Sequence, residues 1–122
     1  MLRIFKSREF ARFAKRSGLS DQALLHAVEQ VESGLIDADL GGGVYKQRVA
    51  RPGKGKSGGF RTILLMRAGE LILFVDGFAK SERDNITTEE LLAFRMVAKG
   101  LLYDKQKLAE AVERKVLVEI KR

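Results

Sequence analysis

Residues 51–61 read RPGKGKSGGFR, and the fold turns on whether this stretch is a phosphate loop or a connection between strands. It holds the chain's single proline, four of its twelve glycines, four cations and the triplet Gly55-Lys56-Ser57. A nucleotide loop of the Gly-Lys-Ser kind needs a glycine five residues before the glycine of the triplet, with a strand ahead and a helix behind. Position 50 is Ala50, and the residues that follow, FRTILLMR (60–67), are aromatic, β-branched and apolar, the composition of a strand. With no helix N-terminus to face a triphosphate, ATP and GTP binding are set aside. The stretch reads as a long connection between two strands.

Upstream of it VYKQRVA (44–50) is a strand; downstream FRTILLMR is followed, after Ala68-Gly69-Glu70, by the strand LILFVDGFAK (71–80). A wide hairpin and a tight one make an antiparallel meander. Toward the N-terminus, LRIFK (2–6) reads as a short strand, and Ser7 caps a helix with Phe10, Phe13 and Ala14 on one face, ended by Gly18. Ser20 caps a second helix, with Ala23, Leu24, Ala27, Val28 and Val31 on one side, up to Gly34. The short link between them predicts an antiparallel helical hairpin. DADLGGG (37–43) reads as a turn, since aspartate before glycines is ordinary turn composition; Asp37 and Asp39 are therefore not taken as metal ligands. Thr87 and Glu90 stand at capping-box spacing at the head of another helix, and Asp104 starts one that runs through Arg114. VLVEI (116–120) is a last strand or an ordered tail.

This order predicts one α+β domain over residues 1–122. Its small antiparallel (mixed) sheet carries the N-terminal helical hairpin on one face and an open basic groove on the other. The absence of cysteine excludes disulfides, thiolate metal sites and a thiol nucleophile, and fits a reducing, cytoplasmic setting. No apolar run approaches the ~18 residues that span a bilayer, so no membrane role is expected.

The net charge of +7 sits in one place. Residues 40–69 carry seven cations (Lys46, Arg48, Arg51, Lys54, Lys56, Arg61, Arg67) and no acid, while the segments on either side are balanced. One-signed charge around a glycine-rich connection is the footprint of a polyanion site. Strand alternation puts Lys46 with Arg48, Arg61 with Arg67, and Phe78 with Lys80 and Asp76, Gly77 pointing the other way. If those faces coincide, Lys46, Arg48, Arg61 and Lys80 line a groove, Phe78 offers a stacking surface, and Lys54 and Lys56 form its rim. Arg51, Arg67 and Arg83 are further candidate phosphate contacts.

The stretch DADLGGGVYKQRVARPGKGKSGGFRTILLMR, followed by FVDGFAKSERDNI, resembles the RelE-type toxins of bacterial toxin-antitoxin systems, in the RelE/HigB-like branch. The resemblance implies a compact toxin that cleaves messenger RNA, generally on the ribosome. It also implies a cognate antitoxin, often a helix-turn-helix protein from the neighbouring gene. The residues fit such chemistry without cofactor or metal. RNA is cut by its own 2′-OH when one group takes that proton, cations hold the phosphorane and an acid serves the leaving 5′-oxygen. His26 is the single histidine and sits mid-helix, so a two-histidine mechanism is excluded. Lysine is a poor base at its free pKa of about 10.4, but clustered like charges lower that value, which makes Lys46 and Lys80 the candidate bases. Arg48 and Arg61 suit the phosphorane because arginine is permanently charged and bidentate. Many RelE toxins carry a tyrosine near the end of the last core strand; here that place offers Asp76, and Tyr45 falls on the face opposite Lys46. The general acid stays unassigned between them. Two other readings stand beside this one: a non-catalytic ParE-like toxin acting on DNA gyrase, and a plain RNA-binding domain.

Overall fold

The computed structural model describes residues 1–51 and 55–122, with residues 55–57 described by their backbone alone. The elements run β1 (Arg3–Ser7), α1 (Arg8–Ser17), α2 (Asp21–Glu32), β2 (Ala38–Gly41), β3 (Val44–Arg51), β4 (Gly55–Arg67), β5 (Leu71–Ala79), α3 (Thr88–Leu101), α4 (Lys105–Glu113) and β6 (Leu117–Ile120). The strands form one mixed six-stranded sheet in the order β2-β3-β4-β5-β1-β6, with β1 parallel to β5 and the other pairs antiparallel. This is an α+β fold.

Local chemistry sets the helix boundaries. The Ser7 hydroxyl accepts the Phe10 N–H at 3.1 Å and the Ser20 hydroxyl accepts that of Ala23 at 3.2 Å. Gly18 closes α1 at φ 69°, a left-handed conformation that suits glycine. Thr87 and Glu90 form a reciprocal capping box at the head of α3. The apolar stripes of α1 and α2 bury against one face of the sheet in a cluster that includes Phe10, Phe13, Leu24, Val28, Val49, Phe60, Leu64 and Phe74. At its centre the Phe10 and Phe74 rings lie 5.3 Å apart, and Phe13 meets Phe60 edge-on at 5.4 Å. Gln47 is fully buried on this side and satisfied: its side chain accepts the Asp37 N–H and donates to the Leu35 carbonyl, which fixes the chain between α2 and β2.

Several expectations change. DADLGGG is not simply a turn, because Ala38 and Asp39 pair with Lys46 and Tyr45 and make β2 the sheet edge. The turn proper is Gly41-Gly42-Gly43, all at positive φ. The connection after Arg51 is shorter than the sequence implies, since the β4 backbone already begins at Gly55. Lys54 lies outside the described residues, as does the side chain of Lys56. VLVEI resolves into a strand paired with β1. The second face of the sheet is not bare: Ala98, Leu102 and Leu108 of α3 and α4 pack with Phe5, Val44, Ile63, Leu65, Leu73 and Phe78 in a second cluster. What stays open on that face is the end near Arg48 and Arg61, described below. Among the described residues no helix is long and apolar enough to cross a membrane.

Gly77 ties this architecture to the site. A Cβ on it would come within 2.3 Å of the Phe13 ring, so only glycine lets α1 seat against β5 here. Gly77→Ala is expected to destabilise the protein by about 1–3 kcal/mol through overpacking, read as a lower midpoint in chemical denaturation.

Candidate nucleic-acid interface

Register decides which cations meet. Arg48 pairs with Arg61 across β3 and β4, and Arg61 pairs with Phe78 across β4 and β5. The next row is Lys46, Ile63 and Asp76. Ile63 and Phe78 belong to the second-face cluster, so both rows share that face. Strict alternation along β5 would instead have put Asp76 and Phe78 under α1, alongside Ile72 and Phe74. A bulge prevents it: Ile63 faces Asp76 while Leu64 faces Phe74, which leaves Val75 as the extra residue that exchanges the faces of everything after it. Lys80 follows directly on Ala79, the partner of Phe60, and so stands at the Arg48/Arg61 end of the sheet.

The structure therefore brings Lys46, Arg48 and Arg61 to one end of one face, and places Lys80 just past the end of β5 at the same end of the sheet. Lys46 and Arg61 are half-buried, Arg48 and Lys80 exposed. The ion pairs among the described residues are Arg3 and Lys121 with Glu119, Lys6 with Asp21, Arg83 with Glu90, and Arg122 with Glu32. None involves the four groove cations. Two arginines directly opposite each other, with no acid to neutralise them, weaken a sheet in the absence of an anion.

The remaining candidates lie elsewhere. Arg67 shares the face but lies six residues from Arg61, about 20 Å along the strand, with its guanidinium 4.8 Å from the Tyr103 ring. Arg51 is on the opposite face, 5.1 Å from the Phe60 ring. Phe78 corrects the stacking expectation. It is only 4 % exposed, a core residue, and the Arg83 guanidinium lies 5.1 Å over its ring. Arg83 is held there by hydrogen bonds to both carboxylate oxygens of Glu90 and to the Asn85 carbonyl. This ion pair and the bonds from Thr87 pull the Glu90 carboxyl down to about 2. Arg83 is thus already paired with an acid.

Asp76 is half-buried and accepts the Gly77 N–H at 2.9 Å. Burial raises its pKa above the ordinary carboxylate value, with Glu90 adding to the rise, while the Gly77 bond and Arg83 oppose it. Its charged neighbours are Glu90 and Arg83, and it makes no ion pair with Lys80. Asp37 and Asp39 are occupied by the backbone, accepting the N–H groups of Arg48 and Gly41.

A feature not read from the sequence adjoins this end. β1 accompanies β5 only as far as the Lys6–Phe74 pair, so β5 from Val75 onward has no strand on that side. A cleft of about 250 Å³ opens there, lined by Glu9, Arg12 and Arg16 of α1 together with Asp76 and Gly77. A second, of about 410 Å³, continues it past Phe13 and Arg16 to Glu82 and Arg83. The i, i+4 spacing of Arg12 and Arg16 on the polar side of α1 was the available signal.

A sequence model of the RelE toxin of the RelE / RelB toxin-antitoxin system matches residues 2–120. The chain belongs to the RelE toxin family. No characterised protein matches it closely enough to add a named relative. As a RelE toxin it is the toxin component of a toxin-antitoxin pair, and an antitoxin is its implied partner. For this RelE toxin, cations that make no ion pair among the described residues gather at the open end of the second face.

Proposed function

We propose that this RelE toxin is a metal-independent endoribonuclease that cleaves messenger RNA, in association with the ribosome, by attack of the 2′-OH on the adjacent phosphate. The observation that carries the reading is the row formed by Arg48 and Arg61, flanked by Lys46 and Lys80, with none of the four ion-paired. Like charges this close are kept where an anion brings them together. Arg48 and Arg61 hold the scissile phosphate and the charge that builds on its equatorial oxygens. The Lys80 ammonium, just past the end of β5 beside that row, donates a proton to the departing 5′-oxygen. The 2′-OH proton goes to Asp76, which burial makes more basic than an ordinary carboxylate, while Lys46, across Ile63 from it, adds a cation beside the phosphate. Tyr45 has no part, since it packs against the first-face cluster with the apolar side chains of α1 and α2.

Antitoxin control fits the same geometry: a partner that covers the open end of the second face removes the phosphate site at one stroke. The antitoxin we expect is a helix-turn-helix protein encoded beside the toxin.

Expressed without antitoxin, the chain is expected to arrest growth with translation falling before replication, and with messenger RNA cut. The purified toxin should continue to cut RNA in chelator. If DNA synthesis stops first while messenger RNA stays intact, a ParE-like action on gyrase replaces this reading; RNA bound but never cut leaves a plain RNA-binding domain.

A further inference from the structure

The helix α3 is apolar on both sides. Its inner side, with Leu91, Phe94, Ala98 and Leu102, packs in the second-face cluster. Its outer side carries Leu92 (52 % exposed), Met96 (76 %) and Val97 (40 %), with Tyr103 (66 %) just beyond its end. Residues 89, 92, 96, 99 and 103 follow the i, i+3, i+4, i+7 spacing of a single helix face. That outer stripe is therefore Glu89, Leu92, Met96, Lys99, Tyr103, with Ala93 and Val97 beside it. Most of the large apolar side chains left exposed among the described residues lie on this one stretch. A monomer's surface does not usually gather them so.

The stripe is its own complement. α3 spans Thr88–Leu101, so its midpoint lies between Phe94 and Arg95. Two copies packed antiparallel about a twofold axis at the level of Phe94, half a residue from that midpoint, would set Glu89 of one opposite Lys99 of the other, and Leu92 opposite Met96, each contact occurring twice. Acid meets base at both ends and apolar meets apolar in the middle. Neither Glu89 nor Lys99 takes part in an ion pair within its own chain. Ala93 keeps the centre shallow, so the helices can approach.

We infer that the outer face of α3 is a self-association surface, through which two copies of this toxin pair by antiparallel α3–α3 packing. A contact along one helix of about 21 Å is smaller than the ordinary interface of about 1,600 Å², so the dimer is weak and concentration-dependent. The inference is independent of the reaction proposed above, because the stripe includes none of the groove residues.

Sedimentation velocity on the full-length chain, freed of antitoxin, tests it. The expected result is a reversible monomer–dimer equilibrium. Met96→Glu, at a position exposed enough to leave the fold intact, should weaken it by roughly a hundredfold, since the substitution enters a symmetric contact twice. Glu89→Lys and Lys99→Glu should each weaken it by roughly tenfold, and the two together in one chain should restore it. A chain that stays monomeric at every concentration, or a dimer indifferent to Met96→Glu, overturns the inference. A double charge reversal no better than the single ones overturns the antiparallel register. If the chain is monomeric and Met96→Glu instead lowers affinity for the antitoxin, the stripe is the antitoxin's seat and not a second copy's.

Discussion

Arg61→Ala should slow single-turnover cleavage of RNA by about two orders of magnitude, the usual loss when a group aimed at transition-state charge is removed, worth about 3 kcal/mol. Arg61 is half-buried on β4 and faces Arg48 with no acid between them, so its backbone holds the guanidinium in place and nothing else on the chain replaces it. Lys80→Ala should behave in the same way because the proton it supplies has no second source at that end of the row. Neither side chain belongs to the apolar clusters, so both variants should stay folded and still bind antitoxin, Lys80→Ala melting like the parent and Arg61→Ala no lower, because it relieves the repulsion from Arg48. Lys54→Ala and Lys56→Ala provide the contrast: in the rim role read from the sequence they should mainly raise the RNA concentration required. Equal and small losses for all four would show that Arg61 and Lys80 are ordinary contacts, and the reading would fall back to binding without cleavage.

The second large effect is on affinity. If Lys46, Arg48, Arg61 and Lys80 all contact phosphate, log K for single-stranded RNA should fall with log salt at a slope of about −2.8, which weakens binding roughly 50-fold between 50 and 200 mM salt. Removing Arg48, exposed and at the mouth of the row, should reduce the slope by about 0.7. Arg51→Ala, on the opposite face over Phe60, should leave the slope unchanged. A slope near zero would mean that the cations serve something other than a polyanion.

The helices were legible in the sequence because their signals are local. Ser7, Ser20 and the Thr87–Glu90 box each act within one turn, and the stripes of α1 and α2 are one-sided. The meander of β3, β4 and β5 was legible for the same reason, given Ala68-Gly69-Glu70 between two strand patterns. What escaped depends on distant partners. The sequence has no mark that β1 inserts beside β5, or that α3 turns its Leu91/Phe94 side inward when Leu92 and Met96 are as apolar. Clustering of the basic residues on one face could be expected only conditionally, because alternation within a strand says nothing of the register between strands. Phe78 was misjudged since its burial comes from packing with distant residues of the second-face cluster, with Arg83 laid over its ring and held there by a carboxylate seven residues further on. Arg67 was grouped with Arg61 by alternation and Arg51 by charge alone; a strand's length separates one from the groove and the thickness of the sheet the other.

The extra residue in β5 has a bearing on how this protein can vary. Val75 works as a phase shifter: before it, odd-numbered side chains face α3, and after it even-numbered ones do. Pairing β5 straight through at its present length would turn Gly77 toward the groove and drive Asp76 and Phe78 into the Phe13 ring, where even a methyl group is too large; loss of Val75 would instead remove the bulge and leave Phe74 under α1 with Asp76 and Phe78 toward α3. A slip of one residue in the pairing would thus exchange the buried and the basic surface of the strand, whereas deletion of the extra residue would not. The connection between β3 and β4 carries no such parity, because it leaves and returns on neighbouring strands whatever its length. Lineages of this fold are therefore free to lengthen or shorten the basic hairpin, while β5 tolerates loss of its extra residue but not a one-residue slip of its pairing.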